Sequence, residues 1–156
     1  MKIIIGSDHA GFNYKEKLKI WLSELGYSVE DVGPHKFNPH DDYPFFSFLV
    51  AKTVAAEKNS YGIIVALSGI GETIAANKVP GSRAVSFTGR ANKKFLKMSR
   101  LHNDTNILCF GSDFVNFSQA KRAIKIWLET KFSSRKRHVR RLREIKEFEN
   151  KNWKGK

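Results

Sequence analysis

The sequence predicts an α/β fold in which one parallel β-sheet lies between two layers of helices. Short apolar runs, typical of buried strands, alternate along the 156 residues with segments whose apolar residues recur at helical spacing. The hydrophobic content of 41% is enough for one core at this length. We therefore expect a single domain over residues 1–156, with a basic C-terminal helix and tail from about residue 133.

The first strand–helix unit is the clearest. The run Ile3-Ile4-Ile5 ends at Gly6 and predicts a buried strand. A helix is expected from about Asn13 to Gly26, which ends it. Its apolar residues fall at i, i+3, i+4 and i+7: Leu18, Trp21, Leu22 and Leu25.

The later elements repeat this alternation. We expect strands at 27–32, 62–66, 83–87 and 106–110, and helices at 46–57, 69–78 and 91–101, with a polar loop at 33–43. Two C-terminal helices follow, and the last is expected to pack through Val139, Leu142, Ile145 and Phe148. Five parallel strands covered by helices on both faces form a three-layer, Rossmann-like fold.

Charge and composition exclude some classes of protein. No apolar run approaches the roughly 18 residues that span a bilayer, and no signal-peptide core follows Met1. The lone Cys109 lies in an apolar run, which favours a buried, inert thiol. A cytoplasmic location is the resulting expectation.

The positive charge is concentrated near the C-terminus. Of the net charge of +13, about +10 lies in residues 121–156, which contain 14 Lys and Arg and 4 Glu. A solvated helix face explains most of this charge, while a phosphate-binding helix or a nucleic-acid tail is the alternative.

A glycine-rich turn follows the third predicted strand, with the sequence Ser68-Gly69-Ile70-Gly71-Glu72. Free backbone N–H groups and a helix start make such a turn an anion site. The turn lacks the third glycine of a dinucleotide fingerprint and the Gly-Lys-Ser/Thr of a P-loop, so no nucleotide cofactor is expected. Ser68 and Glu72 add a hydroxyl and a carboxylate, which favour proton transfer. Taken alone, Glu72 is as well explained by a favourable interaction with the helix dipole.

Two further polar clusters flank the predicted strands. Asp8-His9 follows the first strand and is expected at the carboxyl edge of the sheet, where ligands bind in such folds. His102-Asn103 precedes the fifth strand and joins that edge only if the end of its helix bends towards it. Each pair singly fits an ordinary turn or helix end. Arg137 and Arg141 share a helical face and either clamp a phosphate or are simply solvated.

At these residues the chain resembles the type B ribose-5-phosphate isomerases, whose wider family includes galactose-6-phosphate isomerase subunits. The matching motifs cover nearly the whole chain in consistent order. They are Gly6-Ser7-Asp8-His9-Ala10-Gly11, Asp42-Tyr43-Pro44, Ser68-Gly69-Ile70-Gly71, residues 75–81 (AANKVPG), residues 100–106 (RLHNDTN), and Arg137-His138 with Arg141. The resemblance implies isomerisation of an aldose phosphate and a ketose phosphate through an enediolate, without a metal or other cofactor, in the pentose phosphate pathway.

The resemblance also implies catalytic roles. His102 helps to open the sugar ring, and Asp8 holds a ring hydroxyl. One branch of the family uses a cysteine as base at the position of Ala66, which this chain cannot do. A second branch uses a glutamate at the position of Glu72, so Glu72 is the expected base, with Ser68 as proton shuttle.

Binding roles follow in the same way. The backbone N–H groups of Gly69, Ile70 and Gly71 hold the enediolate, and Asn103 and Tyr43 contact the substrate. The phosphate is bound by His9 and by Arg137 and Arg141, the two arginines coming from a neighbouring subunit. The resemblance thus implies a homodimer or larger homo-oligomer with shared sites and a C-terminal helix that reaches the partner.

One departure and two alternatives accompany this interpretation. Many family members have an arginine where this chain has Asp113, which removes a phosphate partner and adds a negative charge. One alternative is the same chemistry on a hexose 6-phosphate such as galactose or allose 6-phosphate, including a role as one subunit of a two-component isomerase. The other is a non-catalytic sugar-phosphate or nucleic-acid binder. Asp8, His102, Ser68 and Glu72 argue against the binder, because mere binding needs no base. Neither nucleic acid nor a membrane is an expected partner.

Overall fold

The computed structural model describes residues 1–89 and 93–153. Within them lies a parallel sheet of five strands in the order β2-β1-β3-β5-β4. The strands are β1 (Lys2–Ser7), β2 (Ser28–Asp31), β3 (Ser60–Ala66), β4 (Ala84–Phe87) and β5 (Ile107–Gly111). The helices are α1 (Phe12–Glu24), α2 (Tyr43–Ala56), α3 (Ile70–Ala76), α4 (Lys93–Asn103), α5 (Phe117–Glu129) and α6 (Lys136–Asn152). The predicted three-layer α/β fold is confirmed.

Helices cover both faces of the sheet because alternate strand residues point to opposite sides. Ile3 and Ile5 of β1 join the core under α1, α4 and α5, where Trp127 is fully buried. Ile4, between them, joins the core under α2 together with Cys109. The strands β1, β3, β4 and β5 therefore present apolar residues to both helix layers, as expected of a parallel sheet.

Two element boundaries differ from the prediction in a way that matters for the site. Helix α2 begins at Tyr43 rather than at Phe46, because Pro44 suits the first turn of a helix. Helix α3 ends at Ala76 instead of continuing to Lys78. There Asn77 caps the end and exchanges two hydrogen bonds with the backbone of Ala84, at 2.8 and 3.0 Å. The predicted start of α4 at residues 91–92 lies outside the described residues.

The loop before β5 is fixed by a buried arginine. The Arg100 guanidinium is 3% exposed and donates hydrogen bonds to the Thr105 carbonyl, the Asp104 carboxylate and the Tyr61 hydroxyl. These contacts join the end of α4 to the beginnings of β5 and β3. The segment that carries His102 is thereby held at the amino edge of the sheet.

The apolar face predicted for α6 is largely exposed within the chain. Val139, Ile145 and Phe148 are 47%, 50% and 62% exposed. The most buried residue of the helix is instead His138, which is 2% exposed. Residues with helical periodicity need not contact their own chain, so this apolar stripe remains on the surface of the single chain. None of the helices in the described residues is both long and apolar enough to cross a membrane.

Candidate active site

Three loops meet at the carboxyl edge of the sheet through close backbone contacts. A Cβ atom at Gly11 would lie 2.1 Å from the carbonyl oxygen of Val65, so only glycine lets the loop after β1 approach the end of β3. At Gly111, a Cβ atom would lie 2.3 Å from the carbonyl oxygen of Leu67. The loops after β1, β3 and β5 are therefore packed together at one point.

Asp8 stands at the end of β1 in this junction. Its side chain is mostly buried, and its Oδ1 accepts a hydrogen bond from the Gly11 backbone N–H at 3.0 Å. Burial raises the pKa of Asp8 above the ordinary value, while the Gly11 hydrogen bond opposes the shift. A carboxyl group held in this way is positioned to contact a ligand at the sheet edge.

The glycine-rich turn after β3 has the geometry that its sequence predicts. Gly69 caps α3 at φ 79°, and a Cβ atom there would lie 2.7 Å from the Phe110 Cα. A side chain is excluded on both counts. The Ser68 Oγ accepts a hydrogen bond from the Ile70 N–H at 3.3 Å, and the Thr73 hydroxyl donates to the Gly69 carbonyl at 2.7 Å. These two hydrogen bonds hold the turn in one conformation.

Glu72, in the first turn of α3, carries a buried carboxyl group. It is 4% exposed, and its Oε2 atom has no hydrogen-bond partner among the described residues. Burial raises the pKa of Glu72, the negative charge of Asp8 raises it further, and backbone hydrogen bonds at Glu72 and Gly69 oppose the shift. A buried carboxylate with a free oxygen and a raised pKa has the properties of a general base.

Tyr43 closes one side of the turn. A Cβ atom at Gly71 would lie 2.7 Å from Tyr43 Cζ, so the phenol ring packs directly on this glycine. The early start of α2 brings Tyr43 there as the first residue of the helix. Any side chain at position 71 would displace the ring.

The only cysteine is unsuited to act as a base or nucleophile. Cys109 is fully buried in the middle of β5, and burial raises the pKa of its thiol to about 12. Ala66, where a cysteine base would stand, is also fully buried. A cysteine base is therefore absent from this edge, whereas the buried carboxyl group of Glu72 is present.

His9 is held against the loop that precedes α2. The backbone N–H of His9 donates to Asp41 Oδ1, and the His9 Nδ1 lies 2.8 Å from the same oxygen. The hydrogen bond to Asp41 raises the pKa of His9 above the ordinary histidine value. Sequence analysis did not single out Asp41, because no local spacing links it to His9.

A second polar cluster lies at the opposite, amino edge of the sheet. The His102 ring, near the end of α4, contacts the ring of His138 from α6, with 4.4 Å between the centroids and a tilt of 40° between the ring planes. Arg137 Nε donates to His138 Nε2 at 3.1 Å, and Ser133 Oγ lies 2.7 Å from His138 Nδ1. Burial and the neighbouring positive charges lower the pKa of His138. These contacts fit a neutral ring whose Nδ1–H donates to Ser133.

His102 and Asn103 could join Asp8 at the carboxyl edge of the same chain only if the end of α4 bent towards that edge, and this condition is not met. His102 precedes β5, whereas the glycine turn packs against its carboxyl end. The five residues of β5, with a rise of about 3.3 Å each, separate the two edges by roughly 16 Å. The end of α4 does not bend towards the carboxyl edge, because the hydrogen bonds of Arg100 fix it at the amino edge of the sheet. Arg137 and Arg141 lie on the first turns of α6 with the His102 cluster.

In chemical terms, the carboxyl edge combines a buried carboxyl group, the backbone N–H groups at the start of α3 and a histidine paired with a carboxylate. This combination suits abstraction of a proton next to a carbonyl, since the oxyanion formed is met by N–H donors. The described residues contain no group of three or more His, Cys, Asp or Glu arranged to hold a metal ion.

Comparisons with known proteins agree with this chemistry. Residues 3–145 match the model of the family described as Ribose/Galactose Isomerase. Ribose-5-phosphate isomerase B of Escherichia coli is 37% identical over 148 residues, covering 95% of this chain and 96% of that protein.

Solved structures give the same picture. Ribose-5-phosphate isomerase B of Clostridium thermocellum is 43% identical, with a TM-score of 0.87 over 97% of this chain and 99% of that one. The enzyme of the same name from Mycoplasma genitalium, solved with bound ribulose-5-phosphate, is 34% identical, with a TM-score of 0.89 over 97% of both chains.

Proposed function

Because the chain belongs to the ribose/galactose isomerase family, we propose that it interconverts ribose 5-phosphate and ribulose 5-phosphate through an enediolate. The observation that carries this proposal is the buried Glu72 carboxyl, with its unpartnered oxygen, in the first turn of α3. The bound ribulose-5-phosphate in the Mycoplasma genitalium enzyme supports the same substrate. A cytoplasmic location belongs to this proposal as well.

Glu72 is the base of the proposed reaction. On the open-chain aldose, its carboxylate takes the proton from C2, and the electron pair forms the C1–C2 double bond while O1 becomes an oxyanion. Ser68 moves the proton of O2 to O1, and Glu72 returns its own proton to C1, which leaves the ketose. The burial that raises the pKa of Glu72 strengthens it as a base at neutral pH.

The backbone N–H groups of Gly69, Ile70 and Gly71 stabilise the enediolate. Gly69 turns the chain at φ 79° so that the first N–H groups of α3 have no carbonyl partner within the helix. Such donors stabilise charge that develops only in the transition state, which lowers the barrier to proton transfer. Tyr43, packed on Gly71, contacts the sugar from the side.

A second copy of the chain completes the site. We assign ring opening to His102 and a sugar contact to Asn103. Within one chain, however, both residues lie at the amino edge of the sheet, whereas Asp8 and Glu72 lie at the carboxyl edge. We therefore place His102, Asn103, Arg137 and Arg141 of the partner subunit against the carboxyl edge of the first. The exposed apolar stripe of α6 supports a homodimer, and so do Leu67, Ile70 and Ile74, which are 53%, 57% and 59% exposed around the turn.

The phosphate is bound where these two groups of residues meet. His9 contributes from one chain, and Arg137 and Arg141 of the partner subunit provide charge-assisted hydrogen bonds. Asp113 is exposed in the loop after β5, close to the same edge. It places a negative charge where other members have an arginine, so the partner's arginines carry more of the binding here.

The assay of the unsubstituted protein tests the function directly. Purified protein is expected to form ribulose 5-phosphate from ribose 5-phosphate, with a higher kcat/KM than for galactose or allose 6-phosphate. The curated relatives with ribose-5-phosphate names favour the pentose over the hexose alternative. Absence of ketose formation from any of these sugars would overturn the proposal.

A further inference from the structure

One oxygen of Asp41 holds His9 at two points. Asp41 Oδ1 accepts from the His9 backbone N–H at 2.8 Å and lies 2.8 Å from His9 Nδ1. Two contacts to one atom fix both the backbone and the ring of His9. The His9 side chain is 40% exposed, whereas that of Asp41 is 8% exposed. The ring is therefore clamped on its Nδ1 side and open to solvent on the other.

Asp41 is itself anchored. Its N–H donates to the Asn38 carbonyl at 3.3 Å, and helix α2 begins two residues later at Tyr43. Its second oxygen, Oδ2, is buried and has no hydrogen-bond partner among the described residues. A buried carboxylate that lacks other partners is costly unless a positive charge lies beside it. His9 is the group in contact that can supply that charge.

Two carboxylates of the same chain act on the His9 ring, and in the proposed dimer they offset the positive charges of Arg137 and Arg141 of the partner subunit. Asp41 contacts it, and Asp8 acts on it from the end of β1. The hydrogen bond to Asp41 is the largest cause of the raised pKa of His9, and both carboxylates contribute further. Because Nδ1 faces a carboxylate, its proton is retained, and protonation of Nε2 adds the positive charge.

We propose that Asp41 is a positioning residue that keeps His9 doubly protonated and turns its Nε2–H outward to bind the phosphate group of the substrate. The inference rests on the proposed function and names the residue that prepares its phosphate site. A phosphate monoester is a dianion above a pKa of about 6, so a cationic donor is the suitable partner. Asp41 acts through His9 and does not touch the substrate.

Asp41→Asn tests this inference, because asparagine keeps an acceptor for the His9 backbone but removes the charge. We expect NMR titration to give a lower pKa for His9, whose signal is assigned by its loss in His9→Asn. For ribose 5-phosphate, KM should rise roughly tenfold at pH 8, as expected for losing a hydrogen bond to a charged group, with kcat within about twofold. The difference in KM between Asp41→Asn and the unsubstituted protein should become smaller towards pH 6, where His9 is charged in both proteins.

Asp42→Asn is the matched control, since it makes the same change of charge one residue away. The Asp42 side chain is exposed and does not cap α2, so the pKa of His9 should stay close to that of the unsubstituted protein. An unchanged pKa of His9 in folded Asp41→Asn overturns the inference. So does a lowered pKa with an unchanged KM at pH 8.

A measurement on the unsubstituted protein covers the case in which Asp41→Asn does not fold. At pH 6.5, the ordinary pKa of histidine, a free ring is half protonated. Nitrogen NMR of His9 should instead show both ring nitrogens mostly protonated, with inorganic phosphate shifting Nε2 more than Nδ1. A mostly neutral ring, or no response of Nε2 to phosphate, contradicts the inference.

The outcomes separate this inference from the proposed function. Suppose that the protein does not isomerise ribose 5-phosphate, but His9 titrates as expected and binds inorganic phosphate. The proposed function is then refuted, while the role of Asp41 in positioning His9 is retained. If the protein isomerises the sugar and Asp41→Asn changes neither the pKa of His9 nor KM, the inference alone fails.

Discussion

Asp8 and Glu72 bring two carboxyl groups to one edge of the sheet, and the charge of Asp8 adds to burial in raising the pKa of Glu72. The two residues come from the loops after β1 and β3, neighbouring strands in the sheet. Their proximity is a property of the parallel topology, because the carboxyl ends of adjacent strands meet at one edge. The pair gives the site a carboxyl group whose affinity for a proton exceeds that of an ordinary glutamate.

Removing the base should abolish most of the activity without unfolding the protein. Glu72→Gln keeps the shape of the side chain but cannot accept a proton, so kcat should fall about 10²–10⁴-fold, with little change in KM. Steady-state kinetics measures both. Glu24→Gln, an exposed glutamate at the end of α1, is the control and should retain full activity. A Glu72→Gln protein with the unsubstituted rate would remove Glu72 from the mechanism.

The same substitution should make the protein more stable at neutral pH. The pKa of Glu72 is raised in the folded state above the ordinary glutamate value of 4.5, so folding favours the protonated form. Stability from this group is present below the unfolded pKa and is lost as the pH rises through the folded pKa. Glu72→Gln should therefore raise Tm at pH 7–8, and the gain should shrink below pH 4.5. A Tm gain independent of pH would point to packing rather than charge.

Mixed oligomers can show whether two chains share a site. We expect Glu72→Gln and His102→Asn each to be nearly inactive alone. When the two are co-expressed, one site in a mixed dimer combines an intact Glu72 with an intact His102 of the partner subunit, so activity should return. If both residues act within one chain, every site in the mixed dimer carries a substitution and activity stays lost.

The arginines of α6 should act on substrate binding. Replacing both Arg137 and Arg141 by alanine removes charge-assisted hydrogen bonds of about 1.5–3 kcal/mol each, so KM should rise at least tenfold. Arg143→Ala provides the control on the same helix, where the side chain is exposed and lies 3.6 Å from Glu147. Equal effects of the control and the double variant would indicate a general charge effect instead of a phosphate contact.

Local sequence signals predicted the sheet and most of its helices. Buried strands such as Ile3-Ile4-Ile5 and the glycine turn at Gly69 have short-range patterns, and both appear where expected. The start of α2 was missed because the polar stretch before Phe46 hides a helix start set by Pro44. Periodicity found α6 but assigned its apolar residues to the chain's own core, although they lie on its surface.

Long-range pairings within the site could not be predicted from spacing. The contact of Asp41 with His9 joins two loops that no local pattern connects. The motif containing His102 was identified from the sequence, but the edge of the sheet at which it lies was not. That position depends on the hydrogen bonds of Arg100 to Tyr61 and Thr105, which are tertiary contacts. Likewise, the burial of His138 follows from its contact with α4 rather than from its neighbours in sequence.

The separation of the two polar clusters by the length of β5 has a consequence for mass action. On the proposed arrangement, only paired chains are active, so the concentration of working sites rises with the square of the concentration of free chains when they are dilute. The abundance of the protein then determines both the number of chains and the fraction of them that form active pairs. A cell that makes little of this chain would lose the activity faster than it loses the polypeptide.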